Sequence, residues 1–155
     1  MRAEPFLKRL IFSTVYCWVA ISFTCPVTQA QNAELLVIGN IETVPSEMKK
    51  NQLTSVLKGE QQRWKNGTKV VLALMDPDTP IGRNTCTRVY NMSGDELQRY
   101  FLLLVFQGKA RAPNFFDSPD DLEAFVAKTP GAIGVLDQAT DSSVKIVLID
   151  GNELL

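Results

Sequence analysis

Apolar and polar residues follow one another in blocks along this chain, and the spacing within the blocks changes from one to the next. Glu34 to Ile41 (ELLVIGNI) is almost continuously apolar, with β-branched residues among leucines, the pattern of a strand covered on both faces. Val44-Pro45-Ser46 breaks it. Between Asn51 and Lys58 the apolar positions Leu53, Val56 and Leu57 fall on one helical face, and Gly59 supplies a stop. Asn66-Gly67 has turn chemistry, and Lys69 to Met75 (KVVLALM) predicts a second strand that ends at Asp76-Pro77-Asp78. Thr79-Pro80 then opens a helix, because proline at the first helical position gives up only an N–H that has no helical partner. That helix is expected to reach Tyr90 and to bury Cys86, Val89 and Tyr90.

The second half repeats the alternation. Ser93-Gly94-Asp95-Glu96 is a capping box, with Leu97, Phe101, Leu104 and Val105 spaced along one face behind it and Gly108 as the stop. Ser118-Pro119-Asp120-Asp121 starts a further helix that buries Leu122, Phe125 and Val126. In Thr129 to Leu136 (TPGAIGVL), Pro130 should end that helix near Lys128, Gly131 should turn the chain, and Ala132 to Leu136 should form a strand. Val144 to Ile149 (VKIVLI) predicts the last strand, and Asp150-Gly151 closes it. Apolar strands interleaved with helices point to a layered α/β domain.

The first thirty residues do not belong to this pattern. Arg2, Lys8 and Arg9 precede an apolar run from Leu10 to Phe23, and Thr28-Gln29-Ala30 places small residues before Gln31. This is the arrangement of a cleaved signal peptide (residues 1–30) ahead of a domain at 31–155, and the run is shorter than the ~20 residues of a membrane span. The expectation is an exported, periplasmic protein with no stable membrane insertion after cleavage. Cys25 is a conceivable lipid attachment point, although Ser22-Phe23-Thr24 makes a poor lipobox.

Charge and residue types narrow the chemistry. The whole chain carries a net charge of −1. Loss of residues 1–30 removes three basic side chains and Glu4, leaving a net of about −3, which does not suit nucleic acid. Cys17 and Cys25 would leave with the leader, so Cys86 has no disulfide partner. The chain has no histidine, which removes the commonest general base and metal ligand. Asp76, Asp78, Asp117, Asp120 and Asp121 are explained by turns and helix starts, so no catalytic residue, metal site or cofactor is assigned and the chain is read as a non-enzyme. Among the aromatics, Phe106 is assigned to the core, whereas Phe115-Phe116 in a loop is open to a partner surface.

One stretch has the physical makings of a binding site. Thr79 to Arg83 (TPIGR) lies where a strand's C-terminal end passes into a helix start, the position at which open α/β sheets take ligands and helix dipoles favour anions. Thr79, Gly82, Arg83 and Thr85 are the candidate ligand-binding residues. Pro80 removes one donor there, and Asp76 and Asp78 bring negative charge. A capped helix with a surface arginine accounts for the same residues, and on the residues alone that plainer account comes first.

The ordered set Leu53–Gly59 (LTSVLKG), Trp64-Lys-Asn-Gly67, Arg83, Phe106-Gln-Gly-Lys109, Pro113, Thr129-Pro-Gly-Ala-Ile-Gly134, Val144-Lys145 and Asp150-Gly151 resembles the phosphate-type periplasmic substrate-binding proteins of ABC transporters. The resemblance runs from Glu34 to Gly151. It implies a single lobe of a type II periplasmic-binding-protein fold, a mixed sheet flanked by helices. It also implies phosphate or a similar oxyanion as ligand and an ABC permease or envelope sensor as partner. Family members grip the anion between two lobes and offer an arginine with Ser-Gly-Thr at a helix start. Here Asp78-Thr79-Pro80-Ile81-Gly82-Arg83 stands in that place without Ser-Gly-Thr. The alternative is a single-lobe interaction or accessory module of the cell envelope that has lost its ligand.

Overall fold

A computed structural model of the chain describes residues 34–155; the expected signal peptide, its cleavage site and Cys25 lie outside the described residues. Five strands form the main sheet: β1 (Leu36–Asn40), β3 (Val71–Met75), β4 (Asn114–Phe116), β5 (Ala132–Leu136) and β6 (Val144–Ile146), in the order β4-β3-β5-β1-β6. β4, β3 and β5 run parallel, while β1 is antiparallel to both β5 and β6, so the sheet is mixed. Four helices accompany it: α1 (Lys50–Leu57), α2 (Pro80–Thr85), α3 (Gly94–Phe106) and α4 (Pro119–Lys128).

The sheet is buried on both sides, which is why its strands read as unbroken apolar runs. On one face Val37, Leu72, Leu74, Ile133 and Val135 pack under α1 and α3, through Leu53, Val56, Leu97 and Phe101. On the other Ile38, Ala73, Met75 and Leu136 pack under α4, through Leu122 and Val126. Successive residues of each strand go to opposite faces, as the period of two demands.

Two polar side chains fix α4 in place. Buried Asn40, at the end of β1, donates to the Val126 and Ala127 carbonyls in the last turn of α4 at 3.1 and 2.9 Å. Buried Glu123 accepts from the Thr140 and Asp141 N–H groups and the Thr140 hydroxyl, which ties the helix to the 137–143 loop. At Thr129–Leu136 the helix ends at Lys128, Gly131 takes φ +80°, and the strand occupies Ala132–Leu136 as expected.

Several elements differ from expectation. The final apolar run is not one strand: it breaks at Val147, and β7 (Leu148–Ile149) leaves the sheet to pair in parallel with β2 (Glu47–Met48). Two residues on each side carry no periodicity, so only the long-range pairing defines them. The expected helix to Tyr90 is α-helical only to Thr85 and closes through a π-helical turn, Cys86–Tyr90, ending at left-handed Asn91. Phe115 and Phe116 lie in strand β4, half-buried, with the Phe116 ring 5.1 Å from that of Phe125. Phe106 is the largest reversal. It is 81% exposed, because it stands opposite Leu97 on the helix and the core reading weighed residue type above position.

Candidate functional site

The junction of β3 with α2 is assembled from backbone inward. β3 continues its pairing one residue past its end, where the Asp76 N–H donates to the Phe116 carbonyl at 2.8 Å. The Asp76 carboxylate then accepts from the Asp78 N–H at 2.8 Å, and its carbonyl accepts both the Thr79 N–H at 2.9 Å and the Thr79 hydroxyl at 2.7 Å. Thr79 caps α2: extended at φ −79° and ψ 156°, it accepts the Gly82 N–H on Oγ1 at 3.0 Å. The cap holds the helix so close to the turn that a Cβ on Gly82 would lie 1.9 Å from the Asp76 carbonyl oxygen. Only glycine fits there.

The four candidate residues therefore have different standing. The Thr79 hydroxyl has one proton and spends it on Asp76, so it keeps acceptor capacity but has no donor for an anion. The Gly82 N–H is spent on the cap. Arg83 is exposed and uses Nη1 on the Asp78 carbonyl at 2.5 Å; a guanidinium has five N–H donors, so others remain. Thr85 is 2% exposed, on the inner side of α2, and its hydroxyl is buried without a hydrogen-bond partner. A ligand at the helix start meets Arg83 and does not reach Thr85.

Negative charge surrounds this end of the sheet. Asp76 and Asp78 follow β3, Asp117 follows β4, and Asp120 and Asp121 open α4. Nearby Cys86 is a buried thiol whose pKa is pushed up, first by burial and further by the Asp76 charge, which keeps it protonated and unreactive. Among the described residues no group of three or more His, Cys, Asp or Glu is placed to hold a metal ion.

The opposite end of the parallel strands has the opposite character. A groove of about 510 Å³ opens there between the start of β3, the start of β4, the end of α1 and the loop after α3. Arg63, Lys69 and Arg111 line it, together with the amides of Gln61, Gln62 and Asn114, and no acidic residue is among its lining. Arg63 is steadied by donating to the Gly67 carbonyl at 2.8 Å, and Gln62 bridges to the Lys109 carbonyl. Sequence reasoning missed this cluster. Its cations are up to 48 positions apart, and only the parallel pairing of β3 with β4 brings them together.

No family model and no curated protein matches the chain. Solved structures do. An ABC-type phosphate transport receptor from Vibrio cholerae superposes with a TM-score of 0.62 at 14% identity, over 79% of this chain and 48% of the receptor. A Clostridium perfringens protein assigned to the substrate-binding class of phosphate ABC transporters, with phosphate bound, gives 0.59 at 14%, over 77% of this chain and 46% of that one. PstS from Borrelia burgdorferi gives 0.59 at 15%, over 77% and 48%. The chain thus spans about half the length of each. At these identities the likeness is one of fold: a mixed sheet flanked by helices, like a single lobe of a phosphate-binding protein.

Proposed function

We propose that this protein is an exported, non-enzymatic binding protein that takes phosphate or another oxyanion at the start of α2. The observation that carries the reading is the fold likeness to phosphate-transport proteins, one of which has phosphate bound. The β3–α2 junction supports the location, since a strand end entering a helix start is where such sheets meet ligands. Within it Arg83 is the principal contact, because it alone of the four candidates has spare donors that are exposed, and Thr79 and Gly82 shape the turn beneath it. Two carboxylates close by oppose an anion, so the affinity of this lobe by itself is expected to be weak, at best near millimolar. Isothermal titration with phosphate should give a measurable heat that Arg83→Ala abolishes while its melting temperature stays within a degree or two. No heat and no thermal shift at ten-millimolar phosphate, on the order of ten times the ~1 mM dissociation constant of a weak site, would sink the reading.

A second reading has its own observation. The chain spans about half the length of each structural relative, and what it matches is like a single lobe. On this reading the lobe is an accessory module that docks through an exposed face and binds no anion at α2.

A further inference from the structure

Helix α3 carries its buried and exposed apolar residues on opposite sides. Leu97 and Phe101 face the core, while Leu102 and Leu103 are 56% and 59% exposed and Phe106 is more exposed still. Scattered apolar side chains need no explanation, but a cluster of this size within two turns marks a surface that meets something apolar.

The charges beside the cluster say what kind of surface. Lys109 and Arg111 follow in the next turn, both exposed, and Arg111 passes directly into the groove that holds Arg63 and Lys69. The two features are joined locally, since Gly59 at the groove packs against Leu104, Phe101 and Ala110 of α3 and its following loop. Arg99, between Leu102 and Leu103 on the same face, is partly offset by Glu96. The acids Asp95 and Glu96 sit at the far end of the helix, about 16 Å from Phe106 at 1.5 Å per residue. Glu60 is the carboxylate beside the groove, near Tyr100. The helix therefore runs from an acidic start to an apolar and basic finish, although the whole chain is slightly negative.

We propose that the C-terminal end of α3 and the groove beside it form a docking surface for an anionic phospholipid membrane. Phe106, Leu102 and Leu103 enter the boundary between headgroups and acyl chains. Lys109 and Arg111 lie at headgroup level, and the groove receives a lipid phosphate among Arg63, Lys69 and the side-chain amides. A lipid interface offers apolar and anionic chemistry side by side, which is the combination this surface presents. The association is peripheral, and among the described residues no helix is long and apolar enough to cross a membrane. It does not depend on whether Arg83 takes an oxyanion.

Co-sedimentation of the full chain with vesicles tests this, comparing phosphatidylglycerol mixed equally with phosphatidylcholine against phosphatidylcholine alone. The apolar N-terminal run is common to every chain tested, so differences between chains report on α3. Binding should favour the anionic vesicles and weaken at high salt. The double substitution Leu103→Ser/Phe106→Ser should lower the partition coefficient roughly tenfold or more. Lys109→Gln/Arg111→Gln should lower it about fivefold per cation removed. All four side chains are exposed, and circular dichroism confirms that the variants are folded. The proposal is overturned if the two vesicle types bind alike, or if neither pair of substitutions changes binding. It also fails if Leu103→Ser/Phe106→Ser alters only the oligomeric state, which would make the face an interface between copies. Competition by inorganic phosphate beyond that of chloride at equal ionic strength would assign the groove to the free anion and count against lipid.

Discussion

The two ends of the parallel strands are built from similar material and put to different use. At the C-terminal end, Asp76, Thr79 and Gly82 consume one another's hydrogen-bonding capacity, and the helix start is jammed against the turn. At the N-terminal end, Arg63, Lys69 and Arg111 stand around an open groove with their charge unspent on any lining carboxylate. Helix α3 connects the two. Gly94 at its start packs on Pro77, and the loop after its end packs on Gly59. The contrast separates two things a terminus of a sheet can do: one end stores stability in a closed polar network, and the other keeps polar groups available to a partner.

Gly82→Ala puts the greatest strain on that contrast. In an ordinary helix the change would stabilise by up to about 1 kcal/mol, because alanine is the better helix former. Here the new methyl must displace a backbone carbonyl, and with it the Thr79 cap and the Asp76 turn. We expect a loss of about 3 kcal/mol, or roughly 10 °C in melting temperature for a domain of this size, read by thermal denaturation. An unchanged or higher melting temperature would show that the acidic end is looser than its geometry implies.

Trp64→Phe probes the N-terminal end of the parallel strands, at the turn that starts β5. Trp64 is buried and its Nε1 donates to the Gly131 carbonyl at 2.9 Å, beside the Val71 N–H that uses the same oxygen at 3.1 Å. The Gly131 N–H donates in turn to the Thr43 hydroxyl, so the turn that starts β5 is held from three elements. Phenylalanine removes one buried hydrogen bond and part of a ring, an expected loss of about 2 kcal/mol in chemical denaturation. The effect should be smaller than that of Gly82→Ala, since the carbonyl keeps its second donor. The reverse order of the two losses would overturn the assignment of the C-terminal end as the rigid one.

What could be read from the sequence divides along the same line. Local features were legible: the Ser93–Glu96 capping box, the end of α4 at Lys128 and the strand Ala132–Leu136 each rest on a few adjacent residues whose stereochemistry leaves little choice. The layered α/β class followed from the apolar runs, because a sheet covered on both faces leaves no polar alternation. Long-range features were not legible. The parallel β2–β7 pair and the basic groove exist only once distant segments meet. The candidate site lies between these cases. Its residues were named, but that Thr79 has no proton left for a ligand and that Thr85 faces inward are facts of hydrogen-bond partners and burial. Phe106 was misplaced for a simpler reason: its angular position on α3 already pointed away from Leu97.

The smallest effect expected concerns the acidic start of α3. Ser93 accepts the Glu96 N–H on its hydroxyl at 3.3 Å, and the Glu96 carboxylate accepts the Ser93 N–H at 2.7 Å and its hydroxyl at 2.9 Å. Those bonds favour the charged carboxylate, so the Glu96 pKa is held below its ordinary 4.5, with the nearby Arg99 adding to the same direction. A carboxyl group whose pKa is lower in the folded chain binds fewer protons there than in the unfolded chain. Its contribution is therefore complete above pH 4.5 and is lost as the pH falls through the lower, folded value. Ser93→Ala should cost about 1 kcal/mol near neutral pH, the usual worth of an N-cap. As the pH falls through the lower, folded value the difference should shrink, because the Ser93 hydroxyl no longer donates to a charged carboxylate, but it should not vanish, because that hydroxyl still accepts the Glu96 N–H. Urea titrations at neutral and acid pH measure both arms. A difference that stays constant across that range would mean that the bond from the Ser93 hydroxyl to the charged Glu96 carboxylate contributes nothing and that the hydroxyl acts only as the N-cap acceptor.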